Sequence, residues 1–204
     1  EPYREMDSGL VECRWENPIS LAIPAGSTPT SWPSGYYLAK LTADPTGEES
    51  YILFIVREDA RPSTYLVQSS VTTFQAYNNW GGKSLYAFNS IGGQAAKVSF
   101  NRPYAVSSHP AATSGAGAGD FLTSNSIPAG FPASAAGWEY NMVRWLEREG
   151  YDVTYTTNID VHTQAALLDS HKAFLSVGHD EYWSWQMRHH VEQARDQGIH
   201  LGFF

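Results

Sequence analysis

From residue 139 to the end, apolar runs of two different periods alternate along the chain, and that alternation leaves few folds open. Glu139 to Glu149 places Met142, Trp145 and Leu146 at i, i+3 and i+4, with Gly150 as the stop, which predicts a helix. Tyr151 to Thr156 reads as a strand, and Asp160 is expected to cap a short helix through Leu168. Lys172-Ala173-Phe174-Leu175-Ser176-Val177 reads as a buried strand ending at Gly178. Ser184 to Gln197 predicts the next helix, Gly198 ends it, and Ile199-His200-Leu201-Gly202-Phe203-Phe204 opens a further strand. Strand, helix, strand, helix, strand at this spacing implies right-handed crossovers and a parallel sheet. A last apolar run that starts a buried strand also carries the expectation that the natural polypeptide continues and that this domain is cut short at its C-terminus.

The first part has a different texture. Leu21-Ala22-Ile23, Gly35 to Leu41 and Tyr51 to Val56 are short strand-like runs, separated by turn signals at Pro29, Trp32-Pro33-Ser34-Gly35 and Asp44-Pro45-Thr46-Gly47. Three short strands without a helix suggest a piece of an antiparallel, Ig-like or sandwich-like domain. Arg61-Pro62 is the expected boundary, giving a β-rich segment over 1–60 and an α/β domain over 61–204. Ser63 to Gln68 reads as the first strand of the second unit, followed by a polar and aromatic stretch through Gly82. Residues 105–137 are rich in Ala, Ser, Gly and Pro and read as a long loop of the lid or binding type. The expected fold class is therefore α/β, a doubly wound parallel sheet preceded by a small β-rich, sandwich-like segment.

Composition narrows the partners. A formal charge of −8 disfavours nucleic acid, which needs clustered Lys and Arg. No stretch of about 18 apolar residues predicts a membrane helix. The single cysteine, Cys13, excludes an internal disulfide framework and a Cys-rich zinc site, and it leaves the α/β domain without a thiol nucleophile. So few cysteines suit either a cytoplasmic or a secreted bacterial enzyme. Aromatic residues reach 14%, with 7 Trp and 12 Tyr, which fits a Trp-rich core or an extracellular, carbohydrate-related binding module. That module is the alternative to an enzyme.

In an open parallel sheet ligands bind beyond the carboxyl ends of the strands, and Gly178-His179-Asp180-Glu181-Tyr182-Trp183 falls at such an end. Three consecutive titratable residues there are expensive to desolvate unless paired or bound to a cation. His179 and Glu181 are two apart, so in extended backbone they point the same way. A converging imidazole and carboxylate suit a metal, or a general base with its orienting partner. The plainer alternative is a helix N-cap, with Asp180 or Ser184 capping and His179 merely hydrogen-bonded. Gln75-Ala76-Tyr77-Asn78-Asn79-Trp80-Gly81-Gly82-Lys83-Ser84-Leu85-Tyr86 also follows a strand and should share that rim. Tyr77 there reads as a phenolate ligand, a proton donor or simple packing, with packing the default. Asp160 and His162 read as a cap and a rim contact, and His189-His190 as a solvated helix surface.

Taken together, Gln75 to Gly82, Trp145-Leu146-Glu147 with Gly150-Tyr151-Asp152-Val153-Thr154-Tyr155, and Gly178 to Ser184 resemble the large (β) subunit of N,N-dimethylformamidase over about residues 50–204. The resemblance implies a glutamine-amidotransferase-like α/β domain and an amidohydrolase with a mononuclear non-haem iron (Fe3+) held by two tyrosines and one glutamate. Carried over by motif, Glu181 is the carboxylate ligand, Tyr77 the first tyrosine and Tyr140 the second, with Tyr86 and Tyr104 as its substitutes. His179 becomes a proton-handling residue beside Glu181, or one that supports the ligands from behind. Asn78, Trp80, Asp180 and Tyr86 fall around the substrate or behind the ligands. The expected substrate is a small-molecule amide, and the expected partner a small subunit or further copies of the chain.

Overall fold

The computed structural model describes residues 1–24, 31–47, 49–105 and 138–204. The turn expected at Pro29 and nearly all of the loop expected over 105–137 lie outside the described residues.

Four strands build the parallel sheet: β5 (Tyr65–Ser69), β6 (Val153–Thr157), β7 (Ala173–Ser176) and β8 (His200–Phe203), in the order β6-β5-β7-β8. Every pairing is parallel, with Val67 opposite Tyr155 on one side and Leu175 on the other. Alternate residues then face opposite layers. Val67, Val153, Tyr155 and Leu175 pack with Phe74 of α1 (Val71–Tyr77) and with Val143 and Leu146 of α2 (Trp138–Arg148). Leu66 and Phe174 point the other way, onto Val161 of α3 (Asn158–Thr163), Leu168, and Met187, Val191 and Ala194 of α4 (Trp185–Asp196). Helices thus cover both faces, and the strand order reverses direction between β5 and β7. That reversal opens a crevice at their carboxyl ends.

The β-rich start is present as two antiparallel pairs. β1 (Tyr3–Glu5) pairs with β2 (Leu10–Glu12), and β3 (Gly35–Thr42) pairs with β4 (Glu49–Val56). The second pair lies on the parallel sheet, with Leu53 inside the Val67–Tyr155 core and the Tyr36 ring edge-on to Tyr155 at 5.2 Å. Leu21-Ala22-Ile23, expected as a strand, forms none, and its side chains stay in solvent, where no partner strand offers hydrogen bonds. β1 and β2 are too short to show a period of two in the sequence.

One cap expectation is corrected, and one choice between two candidates is decided. Asp160 does not cap α3. Thr157 does, and Asp160 is the third helical residue, whose carboxylate accepts the Thr157 N–H (3.1 Å) and hydroxyl (2.6 Å) in a reciprocal capping box. Likewise Ser184, not Asp180, caps α4, accepting the Met187 N–H at 3.1 Å. Thr157→Ala is expected to cost about 1 kcal/mol, read as a shift in the urea midpoint with an unchanged slope.

Candidate active site

α1 ends on Tyr77, and the strand β7 runs out into Gly178-His179-Asp180-Glu181, so both segments meet at the crevice between β5 and β7. Thr73, one turn before Tyr77, ties the two together. Its hydroxyl accepts the backbone N–H groups of Glu181 (2.9 Å) and Tyr182 (3.2 Å). Thr72 donates to the Tyr182 carbonyl at 2.7 Å.

Three side chains converge on one oxygen. Glu181 Oε2 accepts the Tyr77 hydroxyl at 2.8 Å and the Tyr86 hydroxyl at 3.1 Å, and His179 Nε2 lies 3.1 Å from it. The Tyr77 and Tyr86 rings stack at 4.2 Å, and Tyr182 donates its hydroxyl to that of Tyr86 at 2.7 Å. The Glu181 side chain is 44% exposed. Burial, reinforced by the neighbouring carboxylate, pushes the Tyr77 phenol up to about 12. Burial pushes Tyr86 and Tyr182 up as well. Both phenols beside Glu181 therefore keep their protons at neutral pH.

The structure thus brings Glu181, His179, Tyr77 and Tyr86 together. Tyr140 stands apart from them. It lines a cavity of about 320 Å³ with Tyr36, Tyr37 and Val143, and packs against the Val67–Leu146 core. On α2 it is Trp138 that reaches the crevice, its ring edge-on to His179 at 6.2 Å. Tyr104, the other substitute, is partly buried and packs against that same core beside Arg102.

The remaining candidates sit around and below this cluster. Asp180 accepts Gln68 Nε2 (2.7 Å), Ser176 Oγ (2.7 Å) and Asn158 Nδ2 (3.0 Å), so it locks the crevice floor. Asn78 is fully buried. Its amide donates to the Pro103 carbonyl at 2.9 Å, and its oxygen accepts the N–H of Ala105 at 3.0 Å and of Trp80 at 3.2 Å. Trp80 sits in the short 3-10 turn that follows. Arg102, only 5% exposed, points inward and donates to the carbonyls of Gln75 (3.0 Å), Asn78 (2.8 Å) and Lys83 (2.7 Å). Burial lowers its guanidinium to about 10. Together Asn78 and Arg102 close the loop that carries Tyr86 onto the end of α1.

Sequence reasoning missed Glu139. It is fully buried behind the crevice, accepting the Ser69 hydroxyl (3.1 Å), the Ser70 N–H (2.8 Å), the Ser70 hydroxyl and the Tyr36 hydroxyl (2.9 Å). An acidic residue in the first turn of a helix reads as an ordinary dipole partner, so nothing in the sequence marked it. Burial outweighs those donors, with Asp180 adding repulsion, and raises its carboxyl from 4.5 to about 7. A carboxyl raised on folding binds more protons in the native state than in the unfolded one. Stability is therefore highest below the unfolded value and falls as pH rises from about 4.5 to about 7. Glu139→Gln removes that slope. The stability difference between variant and wild type should change by at most about 3 kcal/mol between pH 5 and pH 8, in favour of the variant, by urea unfolding at each pH.

Among the described residues no three His, Cys, Asp or Glu side chains form a metal-binding group. The converging donors are phenols, one carboxylate and one imidazole. Among the described residues no helix is long and apolar enough to cross a membrane. No curated protein matches the chain. A family model described as N,N-dimethylformamidase beta subunit-like, C-terminal, matches residues 1–204, running through the β-rich start as well as the parallel sheet. The chain belongs to that family.

Proposed function

We propose that this chain carries the catalytic centre of a metal-dependent amidohydrolase. The observation that carries the reading is the single carboxylate oxygen of Glu181, which gathers two phenols and an imidazole within 3.1 Å at the crevice. Membership of a dimethylformamidase-like family supports a linear amide as substrate. Glu181, Tyr77 and Tyr86 would hold one ferric ion, since hard oxygen donors suit a hard cation. When bound, that ion supplies Lewis acidity toward an amide carbonyl. His179 is 29% exposed beside Glu181 and is the group placed to carry a proton from water to the departing amine. Tyr182 holds the Tyr86 hydroxyl, and Asp180 fixes the backbone from which His179 and Glu181 project.

The sheet is read as the core of a glutamine-amidotransferase-like domain, supported by its parallel strands with helices on both faces. The family's description as a β subunit supports a partner subunit. Metal analysis and a visible spectrum of full-length protein purified without chelator test the reading. About one iron per chain with a phenolate band, together with turnover of an amide, is the expected result. A colourless protein with neither metal nor turnover overturns it.

A further inference from the structure

A cavity of about 410 Å³ lies on the far side of Tyr182 from the crevice. Its walls are Val98, Phe100, Ile159 and Met187, with Tyr182 and Trp183 at the side of the catalytic rim. Tyr182 belongs to both places. Its ring lines the cavity, and its hydroxyl donates to Tyr86, which donates to Glu181. Two side chains, Tyr182 and Tyr86, thus link the cavity to the oxygen on which the site converges. Thr72 and Gln75 also line it, and one wall holds a polar pair, His162 Nδ1 at 2.8 Å from Ser184 Oγ, in mainly apolar surroundings. Few placed polar groups in an apolar hollow of this size are the usual anatomy of a small-molecule site. Phe100 and Ile159 remain 50% and 40% exposed at its edge, large apolar groups with nothing folded over them among the described residues.

Resting on the amidohydrolase reading, we infer that this cavity receives the apolar half of the substrate, so the natural amide carries a branched, aromatic or long alkyl group. An apolar cavity of roughly 150 Å³ already accepts benzene, whereas a minimal formamide would leave this one largely empty. Tyr182 separates the two halves of the ligand, with the carbonyl on the Glu181 side and the hydrocarbon on the Met187 side.

Calorimetric titration of N-alkylacetamides, from methyl to hexyl, into the full-length iron-loaded protein tests this. Affinity is expected to rise with chain length, by up to roughly fourfold per buried methylene. Ile159→Trp, which fills the cavity from an exposed position, should flatten that rise and leave the methyl amide unchanged. Phe100→Ala removes a wall and should weaken the hexyl amide alone. A slope that is absent in wild type, or that survives both substitutions, overturns the inference. Turnover and metal content, measured on the same samples, report separately on the amidohydrolase reading. A steep slope without iron or turnover removes the enzyme and leaves a hydrocarbon-binding cavity. Turnover without any slope removes the cavity's role and leaves the enzyme.

Discussion

Glu181→Gln is expected to leave a folded, colourless protein that binds no iron and hydrolyses no amide. The fold survives because the backbone at Glu181 is held by Thr73, and its side chain reaches solvent. The site does not survive, because the amide keeps the size of the carboxylate but discards its charge, the only formal negative charge among the converging donors. The loss should exceed the roughly 10- to 100-fold that removal of an outer hydrogen-bonding partner costs a metal site. Two companion variants separate the tyrosines. Tyr86→Phe should weaken and shift the phenolate band, leaving Tyr77 as its source, whereas Tyr140→Phe, whose ring lines a different cavity, should keep band, iron and turnover at the wild-type level. An unchanged band in Tyr86→Phe with loss in Tyr140→Phe would overturn the assignment. Metal content, visible spectrum and kcat/KM are measured together for all three.

The second large effect is at Gly178. Its φ is +72°, and a Cβ there would come within 2.5 Å of the Trp138 Cβ and 3.0 Å of its ring. Gly178→Ala therefore combines the left-handed backbone cost of about 1–2 kcal/mol with overpacking of about 1–3 kcal/mol. The sum corresponds to a fall in Tm on the order of 10 °C for a chain of this size. Relief requires Trp138 to retreat, and Trp138 packs on His179. Turnover should thus fall at temperatures well below the transition, with KM less affected than kcat. A Tm within about 2 °C of wild type would show that the turn relaxes, contrary to the packing argument.

The parallel sheet was legible because Gly150 and Gly198 end long helices of clear period, Gly178 closes a strand, and the segments between read as strands. The rim position of His179 and Glu181 followed from the same punctuation. α1 was not legible. It is seven residues long, has no side-chain cap, and owes its helicity to Phe74 and Tyr77 packing into the sheet and crevice rather than to its own propensity. The placement of Tyr140 away from Glu181 was not legible for a related reason. Order along the chain says which tyrosines exist, while the path of the 78–105 loop decides which ring reaches Glu181. That path is set by Asn78 and Arg102, whose hydrogen bonds go to carbonyls and amides that any residue could supply. Glu139 stayed hidden because its burial depends on Tyr36, a strand more than a hundred residues away.

Arg102 gives the loop an unusual kind of freedom. A guanidinium wrapped by main-chain oxygens makes few demands on the identity of the residues around it, only on where the backbone passes. The segment bearing Tyr86 can therefore accept substitution or altered length across much of its course. What must persist is the return of its end, so that one arginine meets the last turn of α1. Diversity in what this rim binds can then accumulate in the loop without disturbing the sheet beneath, with the arginine as a fixed hub around which the variable part is strung.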